Sequence, residues 1–181
     1  MTKKLIKIKL NKKKGTLFWV TGLSGSGKSS IAKEILPKIK KKFGPTLLMN
    51  GDNMRTIFNL TKYDKPSRLE YALNFSKFSE HITNQGLNII FATIGMFHKA
   101  RKRNKSRIDN YIEIFIDTEI NNIIKNGKKK KIYNRKLNNI VGKHIKPQLP
   151  SSPNIKIKND FSKNIKQISK EILIDIDRIV K

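Results

Sequence analysis

Gly22, Leu23, Ser24, Gly25, Ser26, Gly27, Lys28 and Ser29 follow the spacing G-x-x-x-x-G-K-[ST]. In such a run the glycines let the backbone curl until successive amides point inward at phosphate oxygens. A helix that starts at the last glycine aims its positive end at the same place. Lys28 would then reach the β and γ phosphates, and the Ser29 hydroxyl would help to hold Mg²⁺. The apolar run "TLFWV" precedes the loop and the helix-like "SSIAKEIL" follows it, as the chemistry requires. Gly22 to Ser30 is therefore read as the site of a nucleoside triphosphate, ATP, with Mg²⁺ at Ser29.

A second candidate is Asp52 in "NGDNMR", directly after the apolar "TLLMN". In an open parallel sheet, ligands sit at the carboxyl ends of strands, so Asp52 would face the same crevice. There a carboxylate could orient Mg²⁺ or take a proton from an attacking hydroxyl. It could equally cap the next helix, and spacing leaves both readings open. His81, His98 and His144 are far apart without ligand spacing, and the absence of cysteine excludes disulfides and thiolate metal sites.

The elements that must position these residues read as follows. Strands are expected over 16–20, 46–50, 87–94, 111–116 and 154–158. A helix from Ser29 to Phe43 carries Ile31, Ile35 and Ile39 on one face, with Pro37 able to kink or end it. A long helix follows Pro66 and stops at Gly86, with Leu69, Leu73 (or Ala72), Phe75 or Phe78, and Ile82 inward. The last helix, capped by Ser162, has Ile165, Ile168, Ile172, Ile176 and Ile179 as its stripe. Strands alternating with helices predict an α/β fold, a P-loop NTPase-like three-layer sandwich with a mainly parallel sheet. Residues 1–15 form a basic arm or edge strand before a single domain over 16–181. The charge-crowded segment over 126–142 is expected to be a mobile lid.

"GLSGSGKSS", "GDNMR", Arg68 in "SRLE", "YIEIFIDT", "KKIYNRK" and "LPSSPNI" together resemble the adenylylsulfate kinases over residues 16 to 160. That family uses ATP and Mg²⁺ to phosphorylate the ribose 3′-hydroxyl of adenylylsulfate. The resemblance implies Asp52 as catalytic carboxylate beside Lys28. It places Asn53, Arg55, Tyr63, Arg68, Ile94, Arg101, Lys130 and Ile140, with Asp52, around the acceptor nucleotide. Tyr133 matches the lid tyrosine. Several positions depart from the family. Its "ISPY" segment falls on Ile94, Gly95, Met96 and Phe97, so no phosphoserine can form at Gly95. An aromatic partner of Tyr63 in the adenine sandwich is replaced by Ile140. The "YE" before "P-x-x-P" becomes Pro147-Gln148. "ATIGMFHKARKRN" and "NNIVG" look like segments of capsule-associated relatives that phosphorylate cytidine diphosphoramidate at the same hydroxyl, which is the alternative acceptor.

The formal net charge is +27, which suits anionic partners, although a solvated spread of lysines accounts for it equally. A basic nucleic-acid-binding protein is the rival reading, but aromatic–basic alternation and a helix-turn-helix pattern are both lacking. The expected partner is a small nucleotide acceptor, with no specific nucleic acid and no membrane, and with a homodimer left open. No run reaches membrane-spanning length, and a cytoplasmic location is expected.

Overall fold

The computed structural model describes residues 7–126, 132–133 and 138–180. In chain order the elements are β1 (Thr16–Gly22), α1 (Lys28–Phe43), β2 (Thr46–Asn50), α2 (Gly51–Ile57), α3 (Lys65–Asn84), β3 (Asn88–Thr93), α4 (His98–Arg107), β4 (Asn110–Asp117), α5 (Ile120–Asn126), β5 (Ile155–Lys158) and α6 (Ile165–Ile179). The sheet runs β2-β3-β1-β4-β5 and every pairing is parallel.

Parallel strands buried on both faces read as continuous apolar runs whose alternate residues serve opposite sides. On one side Phe18, Val20, Ile90, Ala92, Ile112, Ile114 and Ile116 meet Ile31, Ile35 and Ile39 of α1 and the isoleucine stripe of α6. On the other, Leu17, Trp19, Ile89 and Phe91 meet Tyr71 and Phe75 of α3, with Met54 of α2. This is the expected three-layer sandwich.

Local expectations needed correction in four places. Helix α1 runs unbroken through Pro37. Pro37 and Lys33, whose carbonyl loses its partner, are both exposed, so water can bond that carbonyl. In α3 the expected Ala72 and Phe75 are buried, but the buried face is turned to include Tyr71, Ser76, Ser79 and Thr83, while Leu69, Leu73, Phe78 and Ile82 pack half-buried at its edges. The rotation follows from polar packing against α4, where Ser76 donates to Asn104 and Arg103 reaches Ser76 and Glu80. Helix α4 was not foreseen, since Ala100 is the one apolar residue in its sequence HKARKRNKSR and no periodicity marks it. Helix α6 is capped by Asn164 rather than Ser162, in a reciprocal capping box with Gln167. Ser162 bonds to Asp160 instead.

Described residues of the N-terminal arm adopt no extended strand. Ile8 forms a single parallel bridge to Val180, and Asn11 exchanges hydrogen bonds with Asn110 at the start of β4.

Candidate active site

Strand β1 lies between β3 and β4, where the direction of the crossovers reverses, and such a switch point opens a crevice at the carboxyl ends of the strands. Register brings the ends level: Val20 and Asn50 both pair with Ala92. One residue further on, Gly51 abuts Thr93, with so little room that a Cβ there would lie 3.2 Å from Thr93 Oγ1. The loop after β1 and the first turn of α2 therefore open onto the same edge, about 10 Å apart across the intervening strand.

The loop after β1 is built for an anion. Gly27 is the N-cap of α1 at φ 90°, a left-handed conformation suited to glycine. It offers no side-chain cap, and no acidic residue occupies the first turn. The first amides of α1 have no intrahelical acceptor, so their positive end is available to a ligand. The buried Ser26 hydroxyl has no hydrogen-bond partner. Lys28 is buried and folds back so that Nζ donates to Leu23 O at 2.6 Å. Ser29 and Ser30 are exposed at the helix start. These residues fit a triphosphate, and Ser29 brings a hydroxyl to the same end of the helix.

Two side chains support this loop that sequence reasoning did not assign to the site. Asn159, just after β5, donates to Ser26 O at 3.0 Å. Tyr133 donates from its phenol to Ser24 O at 2.9 Å, and burial pushes that phenol up to about 12, so it remains a donor at neutral pH. Asn159 carried no signal in the sequence beyond its place after a strand, whereas Tyr133 stood out as the lid tyrosine. Of the segment expected over 126–142, residues 127–131 and 134–137, including Lys130, lie outside the described residues.

On the acceptor side, α2 is capped by Asn50, whose side chain accepts from Asn53 N at 2.8 Å. This removes the capping role from Asp52, which is an exposed residue of the first turn. A carboxylate there is favoured by the helix dipole. Arg55, from the same helix, lies over the Tyr63 ring at 3.9 Å, and Arg68 of α3 approaches that ring at 5.2 Å. Arg68 also donates from Nε to Tyr63 O at 2.7 Å and from NH2 to Asn139 O at 3.1 Å. Burial, then the nearby Arg55 charge, lowers the Arg68 guanidinium from its ordinary value. Two guanidiniums held against one phenol ring are a ready anchor for an anion.

Ile94 and Ile140 come together in an apolar cluster with Leu23, Met96, Phe115, Ile123 and Tyr133. Arg101 is turned inward and is 7% exposed. Its Nε pairs with Glu113 at 3.3 Å, while NH2 donates to Gln148 O and His98 Nδ1. Gly95 has φ 39°, and a Cβ there would come within 2.9 Å of both the Trp19 ring and Thr93.

The model of the adenylylsulphate kinase family matches residues 14–158. The chain belongs to that family. It is 30% identical over 164 residues to the cytidine diphosphoramidate kinase of Campylobacter jejuni, covering 87% of this chain and 96% of that one. It is 29% identical over 154 residues to the adenylyl-sulfate kinase of Pseudomonas aeruginosa, covering 82% and 79%. The Mycobacterium tuberculosis APS kinase, solved with AMPPNP and APS, superposes with a TM-score of 0.78 at 23% identity over 91% of this chain and 98% of that one. That last likeness speaks to the fold. As a member of the adenylylsulphate kinase family, the chain is a kinase, a phosphotransferase. Among the described residues no cluster of His, Asp or Glu could hold a metal by itself, and no helix is long and apolar enough to cross a membrane.

Proposed function

We propose that this kinase transfers the γ-phosphoryl group of ATP in line to the ribose 3′-hydroxyl of adenylylsulfate or a closely related nucleotide. The observation that carries the reading is the pairing, at one sheet edge, of an uncapped α1 N-terminus with the first turn of α2 that bears Asp52. Arg55 and Arg68 stand beside it on Tyr63.

In this mechanism the loop amides and Lys28 hold the β and γ phosphates and stabilise charge on the transferred group. Ser29 would hold Mg²⁺, which would supply neutralisation of the phosphate charge. Asp52 orients the acceptor hydroxyl and receives its proton. Asn53 lies beside it, and Arg55 and Arg68 bind the anionic group on the acceptor's 5′ side, with Ile94, Ile140 and Tyr63 lining the nucleoside. The transfer is direct, because Gly95 offers no hydroxyl for a covalent intermediate.

Cytidine diphosphoramidate is a second acceptor reading. It is favoured by the packing of Ile140 into an apolar cluster, where the family sandwich needs an aromatic face, and by the likeness to the Campylobacter jejuni enzyme. A coupled assay of ADP release offers adenylylsulfate and cytidine diphosphoramidate side by side with ATP and Mg²⁺. Turnover with either, giving a 3′-phosphorylated product, supports the proposal and chooses the base. Turnover with neither overturns it.

A further inference from the structure

The turn after β3 is held by a residue fifty positions away. Helix α4 begins after Phe97, which gives no side-chain cap. Its first amide, His98 N, donates instead to Gln148 Oε1 at 2.7 Å. The backbone of Gln148 is used as well: its N donates to Met96 O at 3.1 Å, and its O accepts from Arg101 NH2 at 2.6 Å. Arg101 reaches Gln148 from the first turn of α4 while anchored to Glu113 on β4, both side chains being nearly inaccessible. The turn is pressed from the other side as well. Thr21 donates to Ile94 O at 2.7 Å, Phe97 N bonds back to Gly95 O, and Gly95 sits on the Trp19 indole. Gln148 thus ties the 146–150 segment to the second half of the four-residue Ile94–Phe97 turn and to the start of α4, and Ile94 of that turn is the residue proposed above to line the acceptor nucleoside.

We infer that Gln148, backed by Arg101, is a positioning residue that fixes the Ile94–Phe97 turn as one wall of the acceptor site. The inference rests on the acceptor reading above for its catalytic consequence, but the clasp itself is independent of it. A missing N-cap bond leaves an orphan amide at the helix start and lets the turn fray. Fraying at this wall affects the acceptor more than the triphosphate loop, which Asn159 supports from the far side of the sheet's β5 end.

The test compares Gln148→Leu, which keeps size and removes the acceptor oxygen, with Gln148→Glu, which keeps an oxygen facing His98 N. Two measurements are made on the full chain: hydrogen exchange at the His98 amide, and KM for ATP and for whichever of the two acceptors the wild type uses. The Leu variant is expected to lose His98 protection and to raise the acceptor KM about five- to tenfold, the size of a lost cap, with the ATP KM unchanged. The Glu variant is expected to restore both. Unchanged His98 exchange in the Leu variant, an equal rise in both KM values, or failure of Glu to rescue would overturn the inference. If the wild type turns over neither acceptor, the functional proposal falls, and the exchange measurement alone decides whether the clasp exists.

Discussion

The Tyr133 phenol and the Ser24 carbonyl are joined by a 2.9 Å hydrogen bond that ties a residue of the 126–142 segment to the phosphate loop. Lys143 Nζ in turn donates to Tyr133 O at 2.8 Å, and Tyr133 packs with Leu23 and Ile140. The glycine-rich loop after β1 and the segment proposed to cover the acceptor therefore share a contact.

Tyr133→Phe removes that bond and keeps the packing. A neutral hydrogen bond of this kind is worth about 1 kcal/mol, so KM for ATP should rise roughly fivefold with little change in melting temperature. Steady-state kinetics at saturating acceptor measure this, and an unchanged ATP KM would show that Ser24 is held without the phenol.

Lys28 and Asp52 should separate binding from chemistry. Lys28→Ala is expected to abolish turnover. Asp52→Asn keeps the shape of the α2 turn and should lower kcat by about 10²–10⁴, the usual range for a lost general base, with ATP affinity nearly unchanged. Rapid-quench turnover and nucleotide binding by calorimetry check the pair. Normal turnover in the asparagine variant would remove Asp52 from proton transfer.

Restoring a serine at Gly95 should damage the fold rather than return a family feature. Its Cβ would press on Trp19 and Thr93 at 2.9 Å from a positive φ, and overpacking of this sort costs about 1–3 kcal/mol. Urea unfolding of Gly95→Ser should report a loss in that range, and wild-type stability would show that the indole moves aside freely.

Glu113 is raised to about 7, chiefly by burial, with the Arg101 and Lys105 charges opposing. Between 4.5, its ordinary value, and about 7, the folded chain retains a proton that the unfolded chain releases. Folding stability contributed by this group therefore falls as pH rises through that window, by up to about 3 kcal/mol. Glu113→Gln should flatten that part of the stability-versus-pH curve, and only above about pH 7, where Glu113 is ionised, should it also leave buried Arg101 without its anion. Melting curves from pH 4.5 to 7.5 test the slope, and identical slopes in the two proteins would contradict the shift.

The phosphate loop was legible in the sequence because its chemistry is local. Eight contiguous residues must curl around one ligand, so their types and spacing carry the whole requirement. The strands were legible because burial on both faces leaves continuous apolar runs, and α6 because its isoleucines recur at helical spacing. Helix α4 was hidden, since it is held by ion pairs of Arg101, Arg103 and Arg107 with Glu113 and Glu80 rather than by apolar periodicity. The burial of Arg101 and the clasp at Gln148 were hidden for the same reason, being contacts between residues 12 to 50 positions apart.

By itself, the sequence determined the parallel α/β fold and the strand–glycine-loop–helix unit that begins it, and it nominated Asp52, Arg55 and Arg68 for the proposed acceptor site. Tertiary structure alone decided that Asn50 and not Asp52 caps α2, that Arg101 points inward to Glu113, and that Gln148 accepts from the first amide of α4. Short-range patterns record what neighbours along the chain must do, whereas a buried ion pair or a borrowed helix cap depends on partners that only the packing of the sheet and its helices brings within hydrogen-bond reach.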